Sequence, residues 1–293
     1  AENAGGNKVI KYGPTGSHVL ALEVVLPDGT VTWFGGKRRK DVTGYDFVHL
    51  MVGSEGTLGI ITKAILNLVP LPTYTVDLLV PFKSINEALN FVPSIITKAR
   101  LIPTSIEFMD RPSVLMAEQF LNMKIPYSDR ANAYLIIQLE GNDYDNLANE
   151  YEKVGDLCLD HGALEVFIAD NRIMSDKLWK ARKRVAEAVW ALYPGENLNE
   201  DIVVPTSKIP ELMIDLDHIC EDYGARYVSY GHVGDGNMHI TIFFQEPFDG
   251  YKKALGSLQI KLYEVTKKLG GTLTGEHGVG LKRRDHIALF LDE

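Results

Sequence analysis

The chain has 293 residues, 45% of them apolar and 24% charged, an ordinary globular composition with room for one large domain or two smaller ones. Its net charge of −9 argues against a nucleic-acid partner, because phosphate binding needs a basic surface. Two cysteines without a C-x-x-C pair argue against a disulfide framework and iron–sulfur ligation; with no apolar run near the roughly 18 residues that span a membrane, a reducing, cytoplasmic setting is expected.

The first 70 residues are rich in glycine and strand signals. Val19–Leu26 reads as a buried strand, Pro27-Asp28-Gly29-Thr30 as a turn, and Val31–Phe34 as the returning strand of a hairpin. In Gly53-Ser54-Glu55-Gly56-Thr57-Leu58-Gly59 three glycines precede a β-branched strand that runs on to Leu68. Val69-Pro70-Leu71-Pro72 is a stiff extended linker and the natural boundary. Beyond it a strand is expected at 76–80. A helix over 84–100 follows, with Ser84 and Glu87 as a capping box and a kink or break at Pro93. Strands at 105–108 and 133–139, a helix over 146–161 ended by Gly162, and a strand at 164–168 come next. The series closes with a long amphipathic helix over 176–192, a strand at 201–204 and a helix over 208–223 ended by Gly224. Interleaved strands and helices of this kind indicate an α+β fold. The basic runs Lys37-Arg38-Arg39-Lys40 and Lys282-Arg283-Arg284 read as solvated turns, with anion contact as the alternative. The opening Ala1–Gly6 reads as a loop in mid-domain and Leu289–Glu293 as a helix end, so a fragment is expected.

The most chemical segment is Tyr230-Gly231-His232-Val233-Gly234-Asp235-Gly236-Asn237-Met238-His239. Asp-Gly is a favoured two-residue hairpin turn. Pairing outward from Asp235-Gly236 sets His232 opposite His239 on one face, with Cβ atoms about 5 Å apart. Two imidazoles so placed can share a divalent metal; the alternative is a surface hairpin with two ordinary histidines. Thr274-Gly275-Glu276-His277-Gly278 offers Glu276 as a third ligand, leaving positions open for a substrate, and His277 as a general base. A polar turn is the alternative there. Arg182 stands between a fork for a substrate carboxylate and a solvated helix face, whereas Lys183 and Arg184 read as solvated. The absence of G-x-G-x-x-G after a strand leaves a Rossmann site unsupported.

These segments, with Asn3-Ala4-Gly5-Gly6, Lys11-Tyr12-Gly13 and Asp41-Val42-Thr43-Gly44-Tyr45-Asp46, lie in order along nearly the whole chain. Together they resemble the FAD-linked oxidases and dehydrogenases of the vanillyl-alcohol-oxidase type, closest to the group of D-lactate dehydrogenase, the glycolate oxidase flavoprotein subunit and D-2-hydroxyglutarate dehydrogenase. The resemblance implies that residues 1–70 are the C-terminal part of an FAD-binding domain, with Asn3, Ala4, Gly5, Gly6, Gly13, Glu55, Gly56, Gly59 and Ile60 at the cofactor. It implies that residues 71–293 are a cap domain with a mainly antiparallel sheet and flanking helices. His232, His239 and Glu276 would hold zinc, manganese or iron(II); Arg182, Thr241 and His277 would meet the substrate, with His277 and Arg182 catalytic. The family's earlier glycine-rich loop and its Asn-Pro-Gly tail would fall outside the chain. Ala186 and Asn199 replace the Thr and Lys of the hydroxyglutarate enzymes, which favours a monocarboxylate 2-hydroxy acid. The electron acceptor implied is an electron-transfer flavoprotein or an iron–sulfur subunit. Alternatives on the same residues are another alcohol substrate, a metal hydrolase, or an electron carrier without activity of its own.

Overall fold

The turn at Pro27–Thr30 does close a hairpin: Thr30 N–H bonds to the Asp28 carboxylate at 2.9 Å, and Gly29 takes φ of 85°. The computed structural model describes residues 1–246 and 248–291, so Asp292 and Glu293, expected near a helix end, lie outside the described residues. Strands β1 (Val19–Val25), β2 (Val31–Gly35) and β3 (Ile60–Leu66) form an antiparallel sheet in the order β2-β1-β3. Helix α1 (Val9–Tyr12) precedes it in the chain, and α2 (Phe47–Met51) packs on β1 and β2, capped by Asp46, whose side chain accepts from His49 N–H.

Past the Pro-x-Pro segment a second sheet has the order β7-β4-β6-β5-β9-β10-β8, every neighbouring pair antiparallel. Its strands are β4 (Tyr74–Phe82), β5 (Ser105–Asp110), β6 (Ala133–Gly141), β7 (Phe167–Ala169), β8 (Leu198–Val203), β9 (Arg226–His232) and β10 (Asn237–Phe243). Both faces of this sheet are covered, which is why β6 reads as a continuous apolar run. One face packs Leu78, Ile106, Phe108, Ile137 and Ile240 under α3 (Ile85–Thr97), α5 (Tyr144–Asp160), α8 (Ile209–Tyr223) and α9 (Tyr251–Lys268). The other packs Leu79, Met109, Ile136 and Tyr230 against α4 (Arg111–Leu121), α6 (Arg172–Lys183) and α7 (Val185–Leu192). The short α10 (Gly280–Arg283) lies near the end of the chain.

Four expectations are corrected. Pro93 does not break α3, because the helix buries Ala88, Leu89, Phe91, Val92 and Ile95, and this packing outweighs one lost backbone hydrogen bond. The helix expected over 176–192 is two helices. It starts earlier, at Arg172 after the Asn171 cap, and breaks at Arg184, whose φ of −101° and ψ of 5° interrupt the ladder. The strand expected at 164–168 is the shorter β7, which starts three residues later and ends one residue later, at Ala169. Helices α4 and α9 were not expected; α4 carried a readable signal, the Asp110 cap followed by Pro112 in the first turn.

The β9–β10 connection is held by Gly236, with φ of 96° and no room for a Cβ beside the Val204 carbonyl. Gly236→Ala is therefore expected to cost about 1–3 kcal/mol in urea unfolding; a loss within error of zero would show that this backbone is not constrained.

Candidate active site

The two histidines are neighbours, though not as the turn suggested. His232 pairs with Asn237, and His239 with Tyr230, so the loop is the four residues 233–236. The reason is that the N–H groups of Asp235 and Gly236 both bond back to the His232 carbonyl, at 3.1 and 3.2 Å, which lengthens the turn. The slip from the expected register is two residues. A shift of two keeps the facing parity of a strand, whereas a shift of one would have sent the imidazoles to opposite faces. His232 and His239 thus become diagonal neighbours on one face, their Nε2 atoms 3.5 Å apart.

Glu276 joins them from a distant loop. Its Oε1 lies 3.3 Å from His239 Nε2 and 3.7 Å from His232 Nε2. These edges fit the roughly 3.3–3.5 Å that separate ligand atoms around one ion with bonds of about 2.0–2.1 Å. Two imidazoles and a carboxylate suit zinc, manganese or iron(II) equally.

What brings Glu276 there is Asp201 on β8, buried completely. Its Oδ2 accepts from the backbone N–H of Gly275 at 3.1 Å, Glu276 at 3.0 Å and His277 at 2.9 Å, and from the Thr274 hydroxyl at 2.9 Å. Its Oδ1 accepts from the Asn237 amide at 2.7 Å. Burial alone would raise this carboxylate, yet the backbone donors of His277 and Glu276 bring it down to about 2. Sequence reasoning placed Asp201 only in a strand; a charge inside Asp201-Ile202-Val203-Val204 was the available signal, because a buried carboxylate must find donors.

Glu107 on β5 is the second missed residue. Its Oε1 accepts from His232 Nδ1 at 2.6 Å and its Oε2 pairs with Arg182 Nη2 at 2.7 Å. Burial would raise Glu107, but the Arg182 charge and the His232 hydrogen bond hold it below the ordinary range. Arg182 is thus no solvated residue: it is buried, stacks its guanidinium 4.9 Å from the Tyr230 ring, and leaves both Nε and Nη2 without a hydrogen-bond acceptor, so that its link to Glu107 is an ion pair. Against the opposing effect of burial, hydrogen bonds to Glu107 and Glu276 raise His232 to about 9. Burial pushes His239 down. Burial would raise Glu276 as well, but the three surrounding histidines bring it far below its usual range. His277, the accessible member, is raised chiefly by Glu276, with Nε2 3.5 Å from Glu276 Oε1 and Nδ1 3.7 Å from Asp201 Oδ2. Its ring stacks 5.4 Å from that of His239. Thr241 is buried on the same face and donates to the Asn199 side chain at 2.6 Å.

The N-terminal residues come to this site from the other sheet. Ala4, Gly5, Gly6 and Gly13 line a groove of about 570 Å³ with Val69–Pro72. Gly6 runs beside Glu276, its missing Cβ 4.0 Å from Oε2. Asn3 is turned inward and accepts from Gly16 N–H at 2.7 Å. Glu55 holds the loop after His277, accepting from Val279 N–H at 2.7 Å and Gly280 N–H at 2.8 Å. Gly56, with φ of 79°, follows it. Gly59 lies tight against Val24 and the Val25 carbonyl, and Ile60 is exposed at the start of β3. Lys8, Val9, Tyr12, Thr15 and His18 also line this groove.

The fold is α+β, with a His-His-Glu cluster on one face of the larger sheet, and comparison with known proteins gives its family. The family described as FAD linked oxidases, C-terminal domain, matches residues 71–293. A D-lactate dehydrogenase of Anaerostipes hadrus is 34% identical over 98% of this chain and 61% of its own length. A glycolate oxidase subunit GlcD of Bacillus subtilis (strain 168) is 37% identical over 99% of this chain and 61% of its own. Among solved structures, p-cresol methylhydroxylase with substrate bound superimposes with a TM-score of 0.73 at 15% identity, over 100% of this chain and 63% of its own, which speaks for the fold alone. The chain belongs to the FAD-linked oxidases. It spans about 61% of the length of these two curated relatives.

Asp201→Asn replaces an acceptor by a donor that faces N–H groups, and is expected to lower stability by about 2–3 kcal/mol in urea unfolding. Because the folded carboxylate is depressed, its contribution is full above the unfolded value of about 3.9 and is lost as pH falls toward about 2. The gap between wild type and variant should therefore narrow across that window; a gap independent of pH would remove Asp201 as the staple.

Proposed function

We propose that the protein oxidises a D-2-hydroxy acid with one carboxylate, of the D-lactate or glycolate kind, to the 2-oxo acid, using FAD and a divalent metal. Residues 1–70 would be the C-terminal portion of the FAD-binding domain and 71–293 the cap domain over it. The observation that carries the reading is the His232–His239–Glu276 triangle set beside buried Arg182 and accessible His277. The acidic balance of the cluster supports a cation: Glu107, Asp201 and Glu276 are all held ionised, against Arg182 and a His232 proton that a divalent ion would replace. The names of the two relatives above support the substrate class.

In this reading His232, His239 and Glu276 would hold the ion, which would supply Lewis acidity, while FAD would supply a hydride acceptor. Arg182, already fixed by Glu107 and Tyr230, would supply the positive charge that orients the substrate carboxylate. His277 takes the hydroxyl proton at Nε2, and Glu276 and Asp201 stabilise the imidazolium that results. Asn199 supports a monocarboxylate, since its amide is engaged by Thr241 and Asn197 and offers no charge to a second carboxylate. Onward electron transfer to an electron-transfer flavoprotein or an iron–sulfur subunit completes the proposal; one relative is named as a subunit. No helix of the described residues is long and apolar enough to cross a membrane.

Anaerobic mixing of the FAD-loaded protein with D-lactate should bleach the flavin, L-lactate should not, and a chelator should abolish the effect until a divalent ion is returned. Bleaching that ignores the chelator would discard the metal step, and none with any 2-hydroxy acid would discard the substrate class. His277→Ala should lower turnover by about 10²–10⁴-fold with metal content near normal, whereas His232→Ala should lose both. Because His277 is raised and must be neutral to accept a proton, kcat/KM of the wild type should climb with pH through a limb above the ordinary histidine value of about 6.5. A flat profile across that limb, or an active H277A, would remove it as the base.

A further inference from the structure

Glu107 is 1% exposed in the middle of a sheet, and no sequence signal assigned it a role. The β5–β9 register pairs Phe108 with Gly231 and Met109 with Tyr230; one step further along it lie Glu107 and His232. Glu107 gives one oxygen to a hydrogen bond and the other to an ion pair. His232 Nδ1 lies 2.6 Å from Oε1, and Arg182 Nη2 lies 2.7 Å from Oε2. The Ser105 hydroxyl adds a weaker contact to Oε1 at 3.3 Å.

From this geometry we infer that Glu107 is a positioning residue which fixes the His232 tautomer and the Arg182 guanidinium at once, joining the metal-ligating and carboxylate-binding halves of the site. The inference rests on the metal and substrate reading above. With Nδ1–H directed at Glu107, the lone pair of His232 sits on Nε2, the atom that faces His239 and Glu276. The other tautomer would present a proton there and could not ligate. The same carboxylate draws Arg182 onto the Tyr230 face and leaves its Nε free.

A carboxylate can serve both donors, but an amide cannot. Glu107→Gln keeps the shape and supplies one acceptor and one donor. If its oxygen faces Arg182, its NH₂ meets His232 Nδ1 and selects the wrong tautomer. If its oxygen faces His232, its NH₂ opposes the guanidinium. An ion pair that only neutralised Arg182 would affect stability and leave metal affinity untouched.

The test titrates the metal-free protein with Co²⁺, read by its visible absorption, for wild type and E107Q, with KM for D-lactate measured on the FAD-loaded forms. E107Q should bind Co²⁺ about 10–100-fold more weakly, as loss of a ligand's hydrogen-bond partner does, and should raise KM. Unchanged affinity and KM in a folded E107Q would overturn the role of Glu107. Wild-type protein that takes up no Co²⁺ would overturn the metal reading itself and the inference with it. Should E107Q not fold, the ¹⁵N spectrum of zinc-loaded wild type decides: a protonated Nδ1 on His232 upholds the assignment, and a metal-bound Nδ1 overturns it.

Discussion

The site depends on one buried carboxylate. Asp201 is shut away from water and so must be fully satisfied by protein donors, and most of those donors come from a single stretch, Thr274–His277. Successive backbone N–H groups converging on one oxygen form an anion nest that fixes the path of the chain. Glu276 and His277 are carried by that path, so their positions follow from a strand residue far away in sequence. Asn237, at the start of β10, donates to the other oxygen and ties the histidine hairpin to the same anchor.

A second set of carboxylates joins the two sheets. Glu55, in the segment before β3, accepts from Val279 and Gly280 immediately beyond the Asp201 nest. Glu140 at the end of β6 is almost wholly buried as a side chain and gathers Lys8, Lys11 and the Tyr12 hydroxyl. Ile10 packs where a Cβ on Gly234 would be. The N-terminal loop is therefore held against the histidine hairpin and beside Glu276.

The donor set is also electrostatically incomplete by itself. His232 sits between Glu107 and Glu276 and is held protonated to about pH 9, so a proton occupies the place a cation would take. A divalent ion bound there, as proposed, would displace that proton, and its affinity would gain with rising pH.

Much of this was legible in the chain. Cap residues gave α5 and α8 their ends, the Pro-x-Pro segment marked the passage between the sheets, and the glycine-flanked histidines and Glu276 marked the chemistry. Local physics governs such features: turn φ values, caps and strand parity are set within a few residues. Parity also explains why the misread hairpin register still put His232 and His239 on one face. Only the tertiary structure supplied Glu107, Asp201 and the buried state of Arg182. Their roles arise from pairings across 75 to 125 residues of chain, where the need of a buried charge for partners decides the outcome and no local pattern names the partner. The same holds for Pro93: packing kept its helix whole, against the preference of the isolated sequence.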